Sequence, residues 1–251
     1  MKERAILFSG PMVRAILEGR KTQTRRVMKH QPPSAAYQLA TCISTTGDRK
    51  NKGKQHWIKL SESAYSVSDS THPYFSCPFG KRGDRLWVRE TFQEFFDDEI
   101  PAGRTRAVRG HMGIPGHPNR ISYVAYRADG EIPESAEYGE ALWRPSIFMP
   151  RWASRITLEV TAVRVERLQN ISAEDAIAEG LKDLTKDGQR VKYGIPDSDG
   201  LPGNDDTGWH WADWRISLID AYQHLWESIN GPGSWAANPW VWVVEFKRVT
   251  P

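Results

Sequence analysis

Cysteine is almost missing from this chain: Cys42 and Cys77 are the only two in 251 residues. That excludes the disulfide framework on which small secreted folds depend, and two unpaired thiols suit a reducing compartment. No apolar run approaches the ~20 residues a membrane-crossing helix needs, and the opening Met1-Lys2-Glu3-Arg4 carries no apolar signal core. A cytoplasmic location without a membrane partner is therefore expected. No repeat of fixed period recurs. Cys42, His56, His72 and Cys77 are of the ligand types a Cys2His2 zinc site uses but lack a close C-x-x-C pair, and Asp197, Asp199, Asp205 and Asp206 miss the calcium-loop spacing. Neither a metal nor a cofactor is expected.

What the chain does hold is charge, unevenly spread, and tryptophan. The formal net charge is +3, yet residues 1–60 carry 13 Lys or Arg against 3 Asp or Glu, while the remainder carries 21 against 28. The N-terminal quarter is thus the electropositive pole, where a phosphate backbone would settle. Eleven tryptophans are present, several beside arginines: Trp87 near Arg89, Trp143 beside Arg144, Trp152 beside Arg151. Bases stack on such rings while guanidinium groups take phosphate. Trp226, Trp240 and Trp242 read instead as core, and Trp235, Trp209 and Trp211 as exposed candidates for stacking.

Periodicity predicts more strands than long helices. Pro11 at a first helical position, Ser9 or Gly10 as cap, and Val13, Ile16 and Leu17 at helical spacing describe a short helix that Gly19 ends. Ser172-Ala173-Glu174-Asp175 resembles a capping box, with Gly180 as the stop. Asp213 to Ile229 places Leu218, Tyr222, Leu225, Trp226 and Ile229 on one stripe before Gly231. Arg85 to Arg89, Ser122 to Arg127, Ile156 to Leu168 and Trp240 to Val249 read as strands, the last as a closing one. Short strands among irregular loops favour an α+β, mainly β architecture: a small β-barrel with peripheral helices. The whole of 1–251 reads as a single domain with long loop insertions near 31–76, 94–119 and 182–210.

The densest chemistry lies in Gly19-Arg20-Lys21-Thr22-Gln23-Thr24-Arg25-Arg26, four cations and two hydroxyls at a helix exit. A solvated basic turn would account for it. The pattern G-x-K-x-x-T-x-R, here Gly19, Lys21, Thr24 and Arg26, nonetheless resembles the signature of the ASCH domain family, whose compact β-barrel is related to PUA RNA-binding domains. Three more blocks follow in that family's order: Gly83 to Glu90, Ile156 to Thr161 running into Ser172 to Gly180, and Trp242 to Lys247. With Trp143 to Ile147 and Met149 to Trp152, the chain looks like the longer ASCH proteins of phages and prophages.

That resemblance implies a PUA-like barrel and a pocket for RNA, a nucleotide or a modified nucleoside. One family member hydrolyses N4-acetylcytidine, and its working residues carry over onto Lys21, Thr24 and Glu179. Arg20, Arg25, Arg26, Trp87, Arg89, Glu90, Arg151 and Trp152 are then the substrate or nucleic-acid contacts. The roles are chemically coherent, because a threonine hydroxyl needs a base and a lysine desolvated among cations can supply one. Glu179 sits at the end of its helix, where the dipole disfavours a negative charge. Two points stay open. In a regular strand Lys21 and Thr24 would lie on opposite faces roughly 10 Å apart, whereas a turn brings them closer. Glu179 could also be a surface carboxylate pairing with Lys182 for about 0.3 kcal/mol. The alternatives to an amidohydrolase are a non-catalytic RNA-binding module and metal-independent RNA cleavage.

Overall fold

A computed structural model describes residues 1–34, 37–41, 52–59, 74–96, 109–114, 117–130, 143–185, 188–197, 199–203 and 208–249. In chain order its elements are β1 (Glu3–Leu7), α1 (Gly10–Leu17), β2 (Gln23–Val27), β3 (Tyr37–Thr41), β4 (Gln55–Lys59), β5 (Arg85–Arg89), β6 (Phe92–Phe96), β7 (Arg109–Ile114) and β8 (His117–Tyr126). They continue with β9 (Thr157–Arg167), α2 (Ala173–Ala178), β10 (Lys182–Leu184), β11 (Lys192–Gly194), α3 (Leu218–Asn230) and β12 (Trp240–Val249). The protein is mixed α+β, mostly strands.

Five strands form the principal sheet in the order β1-β5-β9-β12-β2. β1 is parallel to β5, and the other neighbours are antiparallel. The long β9–β12 ladder shifts register between Glu245 and Phe246, a bulge of the kind that bends a strand and increases its twist. The sheet's two edges thereby approach each other: Arg26 Nη2 donates to the Leu7 carbonyl at 2.6 Å, and the Phe8 and Phe246 rings lie 6.1 Å apart. The closed barrel expected from the sequence is corrected here, since among the described residues β1 and β2 do not pair. Lys21 N donates to Ala15 O and Thr22 N to Ala178 O, both at 2.9 Å, which stitches the segment before β2 to the two short helices.

The helices begin and end where local chemistry dictates. α1 has Ser9 at its N-cap and Pro11 in its first turn, buries Met12, Val13, Ala15 and Ile16, and stops before Gly19 at φ +79°. Ser172 Oγ accepts from Asp175 N at 3.1 Å to start α2, and Gly180 at φ +106° ends it. The stripe on the third helix holds at Tyr222, Leu225 and Trp226. The predicted start at Asp213 is wrong: Trp211–Asp213 is a separate 3-10 turn, and the helix starts after its true cap, Ser217. Ile229, assigned to the buried stripe, is 61% exposed.

β12 is buried on both faces, with Val241, Trp242, Val243, Val244 and Phe246 all nearly inaccessible. The cover on one side comes from the segment expected to be a loop insertion at 31–76. There the β3–β4 hairpin places Trp57 5.3 Å from Trp240, and Phe75 stands edge-on to Trp242 at 6.2 Å. The other two expected insertions also carry strands. β7 and parts of β6 and β8 form a three-stranded sheet beside a second apolar cluster around Phe92, Val124, Tyr126 and Met149, and β10 pairs with β11. Trp226, Trp240 and Trp242 join the main core as anticipated. Trp209 and Trp235 pack against it too, Trp209 edge-on to His224 and Trp235 edge-on to Tyr222, rather than standing free for stacking.

Candidate functional site

Lys21 is placed by the turn that Gly19 permits and by the end of α2. Its side chain is 2% exposed, and Nζ donates both to the main-chain oxygen of Glu179 and to Glu179 Oε2, each at 2.7 Å. Glu179 is the C-cap residue of α2. The close approach requires a glycine next door: a Cβ on Gly180 would meet Ala15 Cβ at 3.0 Å and Lys21 Cβ at 3.3 Å, quite apart from the positive φ there. Lys21 precedes β2 and Thr24 lies within it, and both side chains line the same cavity. The surface pairing of Glu179 with Lys182 is corrected: Glu179 is buried against Lys21, and Lys182 Nζ donates to the Gly200 carbonyl.

A cavity of about 390 Å³ opens over this pair, within the ~300–1,000 Å³ typical of small-molecule sites. Lys21, Thr24, Arg26 and Glu179 form its polar wall. Leu7, Phe8, Ser9 and Met12 from the β1–α1 turn bound one side, and Tyr222, Leu225, Trp226 and Ile229 of α3 the other, with Thr91 and Ser146 at the rim. The site therefore occupies the gap between the unpaired sheet edges, roofed by a helix.

The electrostatics are those of a desolvated, cation-rich pocket. Burial holds the Lys21 ammonium below its ordinary range; the Glu179 carboxylate opposes that, and Arg26 and Arg25 reinforce it. Burial, and then the charge of Glu179, pushes the Tyr222 hydroxyl well above its usual value, so that it stays a proton donor. Two cations and one carboxylate on the wall favour a ligand that brings carbonyl or anionic oxygens.

The structure divides the residues singled out from sequence. Lys21, Thr24, Glu179 and Arg26 share the cavity. Arg25 does not line it: its side chain is fully buried behind the wall, bonded to Asp175 at 2.6 Å and Glu166 at 3.1 Å. Arg20 is held by Glu18 and the Gly180 carbonyl. β5, whose Trp87 and Arg89 were expected with the adjoining Glu90 among the substrate contacts, does not bring them to the cavity. Glu90 is bonded by both arms of Arg155, Arg89 lies over the Trp87 ring at 4.7 Å with Arg151 5.8 Å from it, and Trp152 packs beside the second apolar cluster. α3 supplies the wall that sequence reasoning assigned to β5. The signal for it was present in Tyr222 and Trp226, apolar-stripe residues that carry polar ends.

Among the described residues no three His, Cys, Asp or Glu side chains gather as metal ligands. Cys42 and His72 lie outside the described residues. His56 packs on Tyr74, and burial pushes the Cys77 thiol up to about 11, which suits a structural residue. No family model, no curated protein and no solved structure matches the chain.

Proposed function

We propose that this is an ASCH-type protein with an opened PUA-like sheet, and that its cavity binds a modified nucleoside or the corresponding nucleotide and hydrolyses an acyl amide on a cytosine-type base. The observation that carries the reading is the buried Lys21–Glu179 pair beside Thr24 on the polar wall of a cavity whose other sides are mostly apolar. A buried ion pair is a poor stabilising device and is kept where its charges have a use. In this scheme Thr24 Oγ attacks the acyl carbonyl, and its proton passes to a neutral Lys21 amine. The tetrahedral intermediate collapses as the base amine leaves, taking that proton with it. Water then attacks the threonine ester and gives a proton to Lys21, which returns it to Thr24 Oγ as the free acid leaves, with Glu179 orienting the amine. Arg26 and the Tyr222 hydroxyl are the donors available to the carbonyl oxygen as it gains charge.

The test is acetate release from N4-acetylcytidine. Thr24→Val keeps the side chain's shape without its oxygen and is expected to reduce turnover by at least about a thousandfold, whereas Thr24→Ser retains activity. Wild-type protein that frees no acid from this or other N4-acylated cytidines would overturn the hydrolase reading.

A second reading has its own observation. Trp87 with Arg89 and Arg151 makes an aromatic-cationic surface on β5, as a non-catalytic binder of single-stranded RNA would use. In that case affinity falls with salt at a log-log slope of roughly −0.7 per phosphate contacted and is lost in Trp87→Ala, while Thr24→Val has no effect.

A further inference from the structure

Behind the cavity wall the charges continue in alternating sign. Glu179 presents Oε2 to Lys21 Nζ at 2.7 Å and Oε1 to Arg25 Nη1 at 3.6 Å. Arg25 Nη2 bonds Asp175 at 2.6 Å and Glu166 at 3.1 Å. Arg164 in turn holds Asp175, Glu166 and the more exposed Glu245. Arg25 is fully buried and Glu179 nearly so. Among the described residues neither Arg25 Nη1 nor Glu179 Oε1 makes a hydrogen bond, and the two pair with each other at ion-pair distance only. The remaining charged or titratable groups around Lys21 are Arg26 on β2, Arg20 bonded to the Gly180 carbonyl, and Tyr222 on α3.

We infer that Arg25 is a positioning residue: its guanidinium sits on the far oxygen of Glu179, so that the carboxylate keeps a compensating charge when Lys21 releases its proton. In a lone buried Lys–Glu pair each charge is the other's only compensation, so the amine would stay protonated rather than leave an uncompensated buried carboxylate. Arg25 never deprotonates in a protein and sits on the far oxygen of the same carboxylate. It compensates Glu179 whichever form Lys21 takes, and its own positive charge disfavours a proton on the amine. Asp175 and Glu166 keep the guanidinium in place, so α2 supplies both the carboxylate and part of the clamp that orients its partner. A neutral amine is of use only under the hydrolase reading, but the arrangement of charges exists independently of it.

The experiment follows lysine side chains by NMR in protein labelled with carbon-13 at Cε, with the Lys21 signal assigned by its loss in Lys21→Met. In Arg25→Gln the Lys21 proton-binding constant is expected to rise by up to about tenfold, one pH unit, since Arg25 is one of the two arginines whose charge disfavours that proton. Arg25→Lys restores the wild-type midpoint. Asp175→Asn disturbs the same cluster but removes a negative charge, so Lys21 should titrate at lower pH than in wild type. A purely structural role would move both variants the same way or neither. An unmoved Lys21 midpoint in Arg25→Gln overturns the proposal, as does an upward shift in Asp175→Asn, which serves alone if Arg25→Gln does not fold. Loss of the Arg25 effect with acyl release intact counts against Arg25 only. A shifted midpoint without any acyl release from wild type leaves the role of Arg25 standing and removes the hydrolase.

Discussion

Replacing Glu179 by leucine puts the Lys21–Glu179 pair to its sharpest test. The two side chains are 2% and 5% exposed, so their charges interact with little solvent screening. Glu179→Leu leaves Lys21 with only a main-chain oxygen as acceptor, at 2.7 Å, and with Arg25 and Arg26 as nearby like charges. Removing one member of a buried pair costs about 3–5 kcal/mol. An independent ceiling exists, because the lysine can escape by folding neutral. From its ordinary value of 10.5 down to pH 7 that escape spans 3.5 pH units, which is about 5 kcal/mol at ~1.4 kcal/mol each. The sign of the pH dependence follows. A lysine held below its unfolded value binds fewer protons folded than unfolded, so stability rises with pH across that window. Urea unfolding of Glu179→Leu should therefore show a loss of about 3–5 kcal/mol at pH 7 that shrinks toward pH 9.5. Lys21→Met combined with Glu179→Leu should recover most of the loss, since apolar residues of similar volume replace buried pairs at little cost. A single mutant within 1 kcal/mol of wild type, or a double mutant no better than Glu179→Leu, would refute the buried-pair reasoning.

Three further outcomes are expected. Gly194→Ala would place a Cβ 2.5 Å from the buried Trp214 ring and should cost roughly 1–3 kcal/mol by urea unfolding, whereas Gly10→Ala, whose Cβ meets nothing nearer than 3.8 Å, should be close to neutral. Asp84 accepts from Lys2 N and from Arg4, which hold its carboxyl at about 2. The stability it contributes is present above the unfolded value near 3.8 and is lost as pH falls through about 2, so Asp84→Asn should flatten the acid limb of a stability profile between those limits. With its thiol at about 11, Cys77 is only about one part in a thousand thiolate at pH 8, and in a Cys42→Ser background it should resist thiol reagents until the protein unfolds.

Helix ends and strand cores were legible in the sequence because they depend on neighbours a few residues away. Ser172 as a cap, Gly19, Gly180 and Gly231 as stops, and the apolar alternation of Ile156, Leu158 and Val160 are local patterns, and each appears where it was read. Arginines were harder. Arg20, Arg25 and Arg26 looked like one exposed cationic patch suited to a phosphate chain, yet they point to the Gly180 carbonyl, to a carboxylate cluster and to the Leu7 carbonyl respectively. Lys21 and Thr24 in the same cluster are both 4% exposed. A strand's alternation says which side chains share a face but not which face is covered. Here Arg20 and Arg25 are covered by groups more than 100 residues away in sequence, while Arg26 meets the Leu7 carbonyl, 19 residues before it.

By itself the sequence determined the local elements, the chemical types at the site and the proximity of Lys21 to Thr24 along the chain, because these rest on short-range sterics, capping and periodicity. Only the tertiary structure decided which residues meet: Lys21 with Glu179 across 158 positions, α3 rather than β5 as the facing wall, and an insertion's Trp57 as the cover for Trp240. Burial decides the electrostatics as well. A lysine beside a carboxylate in water is an ordinary surface pair, and the same two groups out of water, with an arginine behind them, become strongly coupled charges.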